Sequence, residues 1–158
     1  MSNSIGKHLT LTIFGQSHAA AIGAVLDGLP AGEPIDLDAV YAFMARRAPG
    51  RHAWSTARRE TDMPVILSGL VNGRTCGAAL SVMLENRDAD SQAYEAVRFL
   101  PRPSHADYPA WVKTGGEHDV RGGGQYSGRL TAPLVFAGAV CAQLLARRNI
   151  EVGAHLAA

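Results

Sequence analysis

Only two of the 158 residues are cysteine, Cys76 and Cys141, and their separation matches neither a C-x-x-C pair nor a zinc spacing. A disulfide scaffold is disfavoured, and reduced thiols are the plain expectation. Net charge is almost absent as well, because 15 Lys and Arg against 14 Asp and Glu leave a formal +1. A general polyanion binder carries a large excess of positive charge, so nucleic acid is not expected as a partner, although local arginine clusters stay open. No apolar run is long enough to cross a bilayer; the longest, Ala132 to Ala146, contains Pro133, Gly138 and Gln143. Met1 to Thr12 lacks the apolar core of an export signal. His18, His52, His105 and His118 show no H-x-x-H or H-E-x-x-H spacing, so no metal site is expected. A soluble cytoplasmic protein is the working class. What the chain does have is 47% hydrophobic residues, enough for a core, at a length where one domain is the default.

Local patterning orders that material. Leu9, Leu11 and Ile13 alternate with threonines as a half-buried strand does, and Ala21 to Leu26 reads as a second strand. Pairing around Gly15 to Ala19 would put Ser17 and His18 at a turn. Asp36 is placed to cap a helix from Leu37 to about Arg47, with Leu37, Val40, Tyr41 and Met44 on one face and Pro49-Gly50 as its stop. Arg46 and Arg47 then fall in the last turn, where cations suit the helix dipole. Arg51 to Asp62 reads as a loop. Pro64 to Val71 and Ala78 to Leu84 are apolar runs joined through Asn72-Gly73, a hairpin signal. Asn86 to Ser91 reads as a turn and Tyr94 to Phe99 as a short helix. Pro101 to Gly128 reads as mostly irregular, a length more often functional than merely connecting. A helix apolar on nearly all sides follows from about Leu130 to Arg147 and belongs at the centre of the fold. Asn149 to Gly153 resembles the start of a further strand.

Three loop clusters carry the chemistry: Gly15-Gln16-Ser17-His18, Arg102-Pro103-Ser104-His105-Ala106-Asp107, and Arg121-Gly122-Gly123-Gly124-Gln125-Tyr126-Ser127-Gly128-Arg129. In the last, three glycines allow close backbone approach, and Ser127, a helix N-terminus and Arg129 favour an anion such as phosphate. Neither the Walker loop nor the dinucleotide fingerprint is matched, and a structural turn and a phosphate cradle both satisfy the glycines. His18 and His105, near neutral at pH 7, suit proton transfer. The residues alone reach an anionic small-molecule site.

In this order the clusters resemble the chorismate synthase family, the flavin-dependent last step of the shikimate route. The likeness runs from about Gly6 to Gly153. Phe14-Gly15-Gln16-Ser17-His18 is similar to the family's F-G-E-S-H-G. Asp27-Gly28-Leu29-Pro30-Ala31-Gly32, Arg46-Arg47-Ala48-Pro49-Gly50, Thr56 to Asp62, Leu67-Ser68-Gly69 and Gly73 to Gly77 follow. Arg102 to Asp107 resembles R-P-G-H-A-D and Arg121 to Thr131 resembles R-G-G-G-R-S-S-A-R-E-T. Departures are Gln16 for Glu, Ala19 and Ser104 for Gly, Ala48 for the third arginine, and Gln125, Tyr126 and Leu130 in the last segment.

The resemblance implies an α+β fold in which antiparallel sheets sandwich central helices, with residues 1–158 as the N-terminal portion of a single domain whose C-terminal portion is absent. It implies anti-1,4-elimination of phosphate from 5-enolpyruvylshikimate 3-phosphate, a small anionic substrate, with reduced FMN as cofactor and no net redox change. His18 and His105 correspond to the family's two active-site histidines. Ser17, Arg47, Arg58, Arg102 and Arg129 correspond to substrate-binding positions. Gln125, Tyr126 and Ser127 fall at flavin contacts, and Arg47 also at a position linked to NADPH. A homotetramer is the family's usual assembly. The alternative is a truncated, non-catalytic fragment with at most weak anion binding, and little or no turnover is expected of these 158 residues by themselves. A phosphate-binding module unrelated to the family would give His18 and His105 no reason to converge.

Overall fold

The computed structural model describes residues 3–48, 60–87, 94 and 98–155. Its frame is a five-stranded antiparallel sheet in the order β1-β2-β3-β7-β4, formed by Ser4–Gly6 (β1), Thr10–Gly15 (β2), Ala21–Asp27 (β3), Val65–Ser68 (β4) and Leu80–Glu85 (β7). The predicted first pair is present: Leu11 faces Leu26 and Ile13 faces Ala24, so the apolar sets of β2 and β3 share one side of the sheet. The partners of β3 on the other flank put Ile22, Ala24 and Leu26 beside Leu84, Val82 and Leu80. All six are buried.

That face is covered by two helices. The first, Leu37–Arg47 (α1), begins where the sequence places it, because the Asp36 carboxylate accepts a hydrogen bond from Ala39 N at 3.0 Å. The second, Thr131–Ala146 (α3), contributes Phe136, Ala137, Val140 and Leu144 to the core, against Val40 and Met44 of α1. Gln143, the one amide in this apolar helix, is explained by a reciprocal pair. Its Nε2 donates to Asp36 O at 2.8 Å and its Oε1 accepts from Asp36 N at 2.9 Å, joining α3 to the cap of α1. With the kinked 3-10 turns before it, α3 belongs to a 26-residue stretch, Arg121–Ala146, in which an 18-residue window has a mean hydropathy of 1.5, apolar enough to cross a membrane by length and composition alone. Half of that window is buried inside the fold.

Four expectations need correction. The Asn72-Gly73 turn does join a hairpin, but a small one: Leu70–Val71 (β5) pairs with Arg74–Thr75 (β6) apart from the main sheet. The longer run is divided because the register slips between Ile66 and Ser68 and Gly69 then turns at φ +90, pressed against the Leu80 backbone where a Cβ would lie at 2.4 Å. Within the stretch read as irregular, Asp107–Thr114 forms a helix (α2) with Asp107 in its first turn and Gly115 as a left-handed cap. Third, α3 is not enclosed on all sides. Leu134, Gly138 and Ala142 stay exposed, and an apolar groove runs between Leu134, Cys141, Ile5 and Leu11. Among the described residues, the sheet and α1 cover two of its sides. Last, α3 ends with Ile150 N bonded to Leu145 O and Asn149 at φ +58, and residues 150–155 form no strand. The stop expected at Pro49-Gly50, the Arg51 to Arg59 loop with His52, and most of the segments read as the Asn86 to Ser91 turn and the Tyr94 to Phe99 helix lie outside the described residues.

Candidate active site

The turn between β2 and β3 holds Ser17 and His18 as the hairpin pattern requires. Ser17 is buried, its N–H donates to Gly124 O at 3.1 Å, and its Oγ lies 3.1 Å from His18 Nδ1. The glycine run therefore meets the chain's own turn. Gly122, Gly123 and Gly124 take φ of +58, +90 and +54. A Cβ on Gly122 would lie 2.0 Å from His18 Cε1 and 2.9 Å from Ser17 Oγ, so only glycine leaves room for the imidazole.

A second group gathers two of the motif arginines on one carboxylate. Asp62, whose side chain is fully buried, accepts from Arg47 NH1 at 2.7 Å and from Arg129 NH1. Arg47 also donates from Nε to Thr131 Oγ1 and from NH2 to Gly128 O. The last turn of α1 is thus fastened to the start of α3. The side chain of Arg129 is 4% exposed and gives its other donors to Asn86 Oδ1 at 3.0 Å and Glu85 O at 3.3 Å. Asn86 completes the connection, since its Nδ2 donates to Gln16 O and Ala19 O at the two ends of the His18 turn. The backbone of the His18 turn, Asn86, Arg129, Asp62 and Arg47 are therefore links of one polar network.

The third group is the loop before α2. Arg102 and Asp107 form a forked pair, Nε to Oδ2 at 2.7 Å and NH2 to Oδ1 at 2.9 Å, with Arg102 N donating to the same carboxylate. His105 is exposed, its Nδ1 2.9 Å from Pro103 O. Tyr94 connects this group to the first: its ring lies 5.1 Å from the His18 ring, edge on, and 5.4 Å from the Arg102 guanidinium. A cavity of about 360 Å³ opens beside Arg102, lined by Tyr94, Tyr108, Trp111 and His118 among others; neither His18 nor His105 lines it.

The charges are set by these contacts. The hydrogen bond from Arg102, against some opposing desolvation, holds the Asp107 carboxyl at about 2. Asp119 is likewise held below its ordinary range, first by its hydrogen bond from Arg121 and in smaller part by the nearby His18. A carboxyl with a lowered folded-state pKa stabilises the fold above its unfolded value, and that contribution vanishes as pH falls through the folded value. The Asp107 contribution is therefore whole at neutral pH, begins to fade near the usual carboxylate range and is gone below about 2. Solvent at this loop screens it to about 1 kcal/mol. The backbone amide signal of Arg102, which donates to Asp107, should move as pH falls from about 4 towards 2, a transition that Asp107→Asn should abolish.

Ser17, His18, Arg47, Arg102, His105 and Arg129 thus fall into three connected groups. Gln125 and Tyr126 are exposed, and Ser127 Oγ accepts from Arg129 N at 3.2 Å. Arg58 lies outside the described residues. Asp62, Asn86 and Tyr94 were not picked out as site residues from sequence. Asp62 closes the matched segment from Thr56, but nothing local marks it as the shared partner of two arginines.

The family described as chorismate synthase matches residues 9–158. A chorismate synthase of Thermococcus gammatolerans is 49% identical over 151 residues, covering 96% of this chain and 42% of the relative. One from Methanococcoides burtonii is 45% identical over 154 residues, covering 98% and 42%. A crystal structure of a chorismate synthase superposes with a TM-score of 0.64 at 25% identity, over 92% of this chain and 36% of that one. The α+β arrangement corresponds to the N-terminal part of that fold. This chain belongs to the chorismate synthase family and spans 42% of the length of the curated relatives named here.

Proposed function

We propose that these residues form the N-terminal share of a chorismate synthase site, which eliminates phosphate from 5-enolpyruvylshikimate 3-phosphate to give chorismate. The observation that carries this reading is the polar network that fastens the His18 turn, Arg129 and Arg47 around Asp62 at the start of α3. Two guanidinium groups on one buried carboxylate leave a surplus positive charge, fixed in place before any anion arrives. The reaction breaks a carbon–hydrogen bond and the carbon–oxygen bond to phosphate on opposite faces of the ring, and the electron pair left behind becomes a new double bond. The leaving phosphate and the two carboxylates of the substrate call for cations at several points. Arg47 and Arg102 supply two of them, Arg58 adds to them, and Arg129 acts from behind through its charge. Ser17 orients His18 through the Oγ to Nδ1 contact. His18 and His105 hold and move protons.

Reduced FMN, when bound, supplies the electron-rich ring system for the elimination without net redox change. The residues present fit such a group. Tyr126 and Gln125 are exposed, Ser127 adjoins them, and the backbone is open at Gly123 and Gly128, where an added Cβ would meet nothing nearer than 3.7 Å. A flat ring can lie against such a loop with polar groups at its edge. Arg47 is the residue that would meet NADPH if the flavin is reduced in place. The setting is the cytoplasm, in a lyase of aromatic biosynthesis, and the assembly a homotetramer.

The test joins this chain to the remaining length of the Thermococcus gammatolerans relative and measures chorismate formation from substrate and reduced FMN. Turnover is expected from the joined protein and little or none from the 158 residues by themselves. A folded joined protein that neither turns over nor binds substrate would overturn the reading. In the same protein, His105→Ala should lower kcat by about 10²–10⁴-fold while KM changes little. Equal kcat in variant and parent would remove His105 from the reaction.

A further inference from the structure

Asp62 combines three properties. Its side chain is fully buried, it accepts from two arginines that come from elements 82 residues apart in sequence, and it takes a φ of +50, a conformation that costs a side-chain-bearing residue energy. A carboxylate that only neutralised charge would need neither the left-handed backbone nor two partners. Both follow if the residue must aim one oxygen at each guanidinium: Oδ2 faces Arg47 and Oδ1 faces Arg129. The side chain of Arg47 is 22% exposed and that of Arg129 4%, so one guanidinium reaches the surface while the other stays behind it.

We propose that Asp62 is a positioning residue of the anion site, which fixes the Arg47 guanidinium in the direction an oxyanion requires. The proposal rests on the reading of this site given above. It makes an unusual prediction about charge. Simple Coulomb attraction says that deleting a negative group beside two arginines should tighten anion binding. Positioning says the reverse, because Arg47, left to its contacts with Thr131 Oγ1 and Gly128 O, must have its NH1 end ordered again each time an anion binds.

The probe is inorganic phosphate, titrated into the 158-residue chain and into Asp62→Asn while the arginine side-chain N–H signals are followed by NMR. Without phosphate, the Nη signals of Arg47 and Arg129 that face Asp62 should be distinct and slowly exchanging in the parent. In the variant the Arg47 Nη signal should move to the position of exposed arginines, while its Nε–H stays on Thr131 Oγ1. With phosphate, the parent should show an Arg47 shift, and the variant should bind about tenfold more weakly despite its greater positive charge. A folded variant that binds phosphate as tightly as the parent, or more tightly, overturns the role of Asp62. A parent that binds no phosphate overturns the anion-site reading itself, a result distinct from the first. Should Asp62→Asn fail to fold, Asp62→Glu keeps the charge but misplaces it. Weaker phosphate binding by that variant supports positioning, and unchanged binding contradicts it.

Discussion

Replacing Gly122 with alanine should lower the thermal unfolding midpoint by about 6–12 °C, as read by circular dichroism at matched concentration. Two costs combine. A φ of +58 disfavours any residue with a Cβ, by about 1 kcal/mol. The new methyl group would also sit 2.0 Å from His18 Cε1 and 2.2 Å from Nδ1, so the imidazole or the loop must shift, at about 1–3 kcal/mol. Together these reach about 3 kcal/mol, and in a chain of this size each kcal/mol moves the midpoint by about 2–4 °C. Gly123→Ala is the natural control, because φ there is +90 but the nearest contact for a Cβ is a 3.7 Å approach to Ser127. It should show the backbone cost without the collision. Equal midpoints for the two variants would mean that the glycine run is not shaped around His18.

Arg129→Met is the second large effect, expected to cost about 3–5 kcal/mol in urea unfolding. Arg129 is inside the fold, and its removal leaves the buried Asp62 carboxylate to Arg47, besides stripping Asn86 Oδ1 and Glu85 O of a donor. Arg129→Lys should recover little of this. An ammonium is a single point of charge and lacks the planar fork that reaches Asp62, Asn86 and the Glu85 carbonyl at once. A loss below about 1 kcal/mol would show that the network is dispensable to the fold.

Both variants concern contacts that the sequence reveals unevenly. The β2-β3 hairpin and α1 are legible because local chemistry specifies them: period-two alternation on either side of a short turn, and an aspartate cap ahead of a helical stripe. The break at Gly69 is not legible, because it depends on Leu80 passing behind it, eleven residues away in sequence. Asp107–Thr114 was hidden in a stretch of Pro, Gly and His, where its first-turn aspartate and terminal glycine are short signals among many turn-formers. The site divides in the same way. His18, His105, Arg47, Arg102 and Arg129 stand in segments that resemble the family's, so their residue types and order were visible. Their partners were not. The shared carboxylate of Asp62 and the double amide contact of Asn86 join positions 67 and 70 residues apart, and no periodicity records such a pairing. Gly122 lies between: three glycines announce a close approach, but only the fold identifies the approaching group as His18.

The measurement that bears most directly on the central claim is a crystal structure of this chain, joined to the remaining length of a relative, with 5-enolpyruvylshikimate 3-phosphate bound. The account predicts the phosphate and carboxylates of the ligand on Arg47 and Arg102, with His18 and His105 both within hydrogen-bond reach of the same molecule. His18 and His105 opening onto different surfaces, with the ligand touching only one of them, would contradict it.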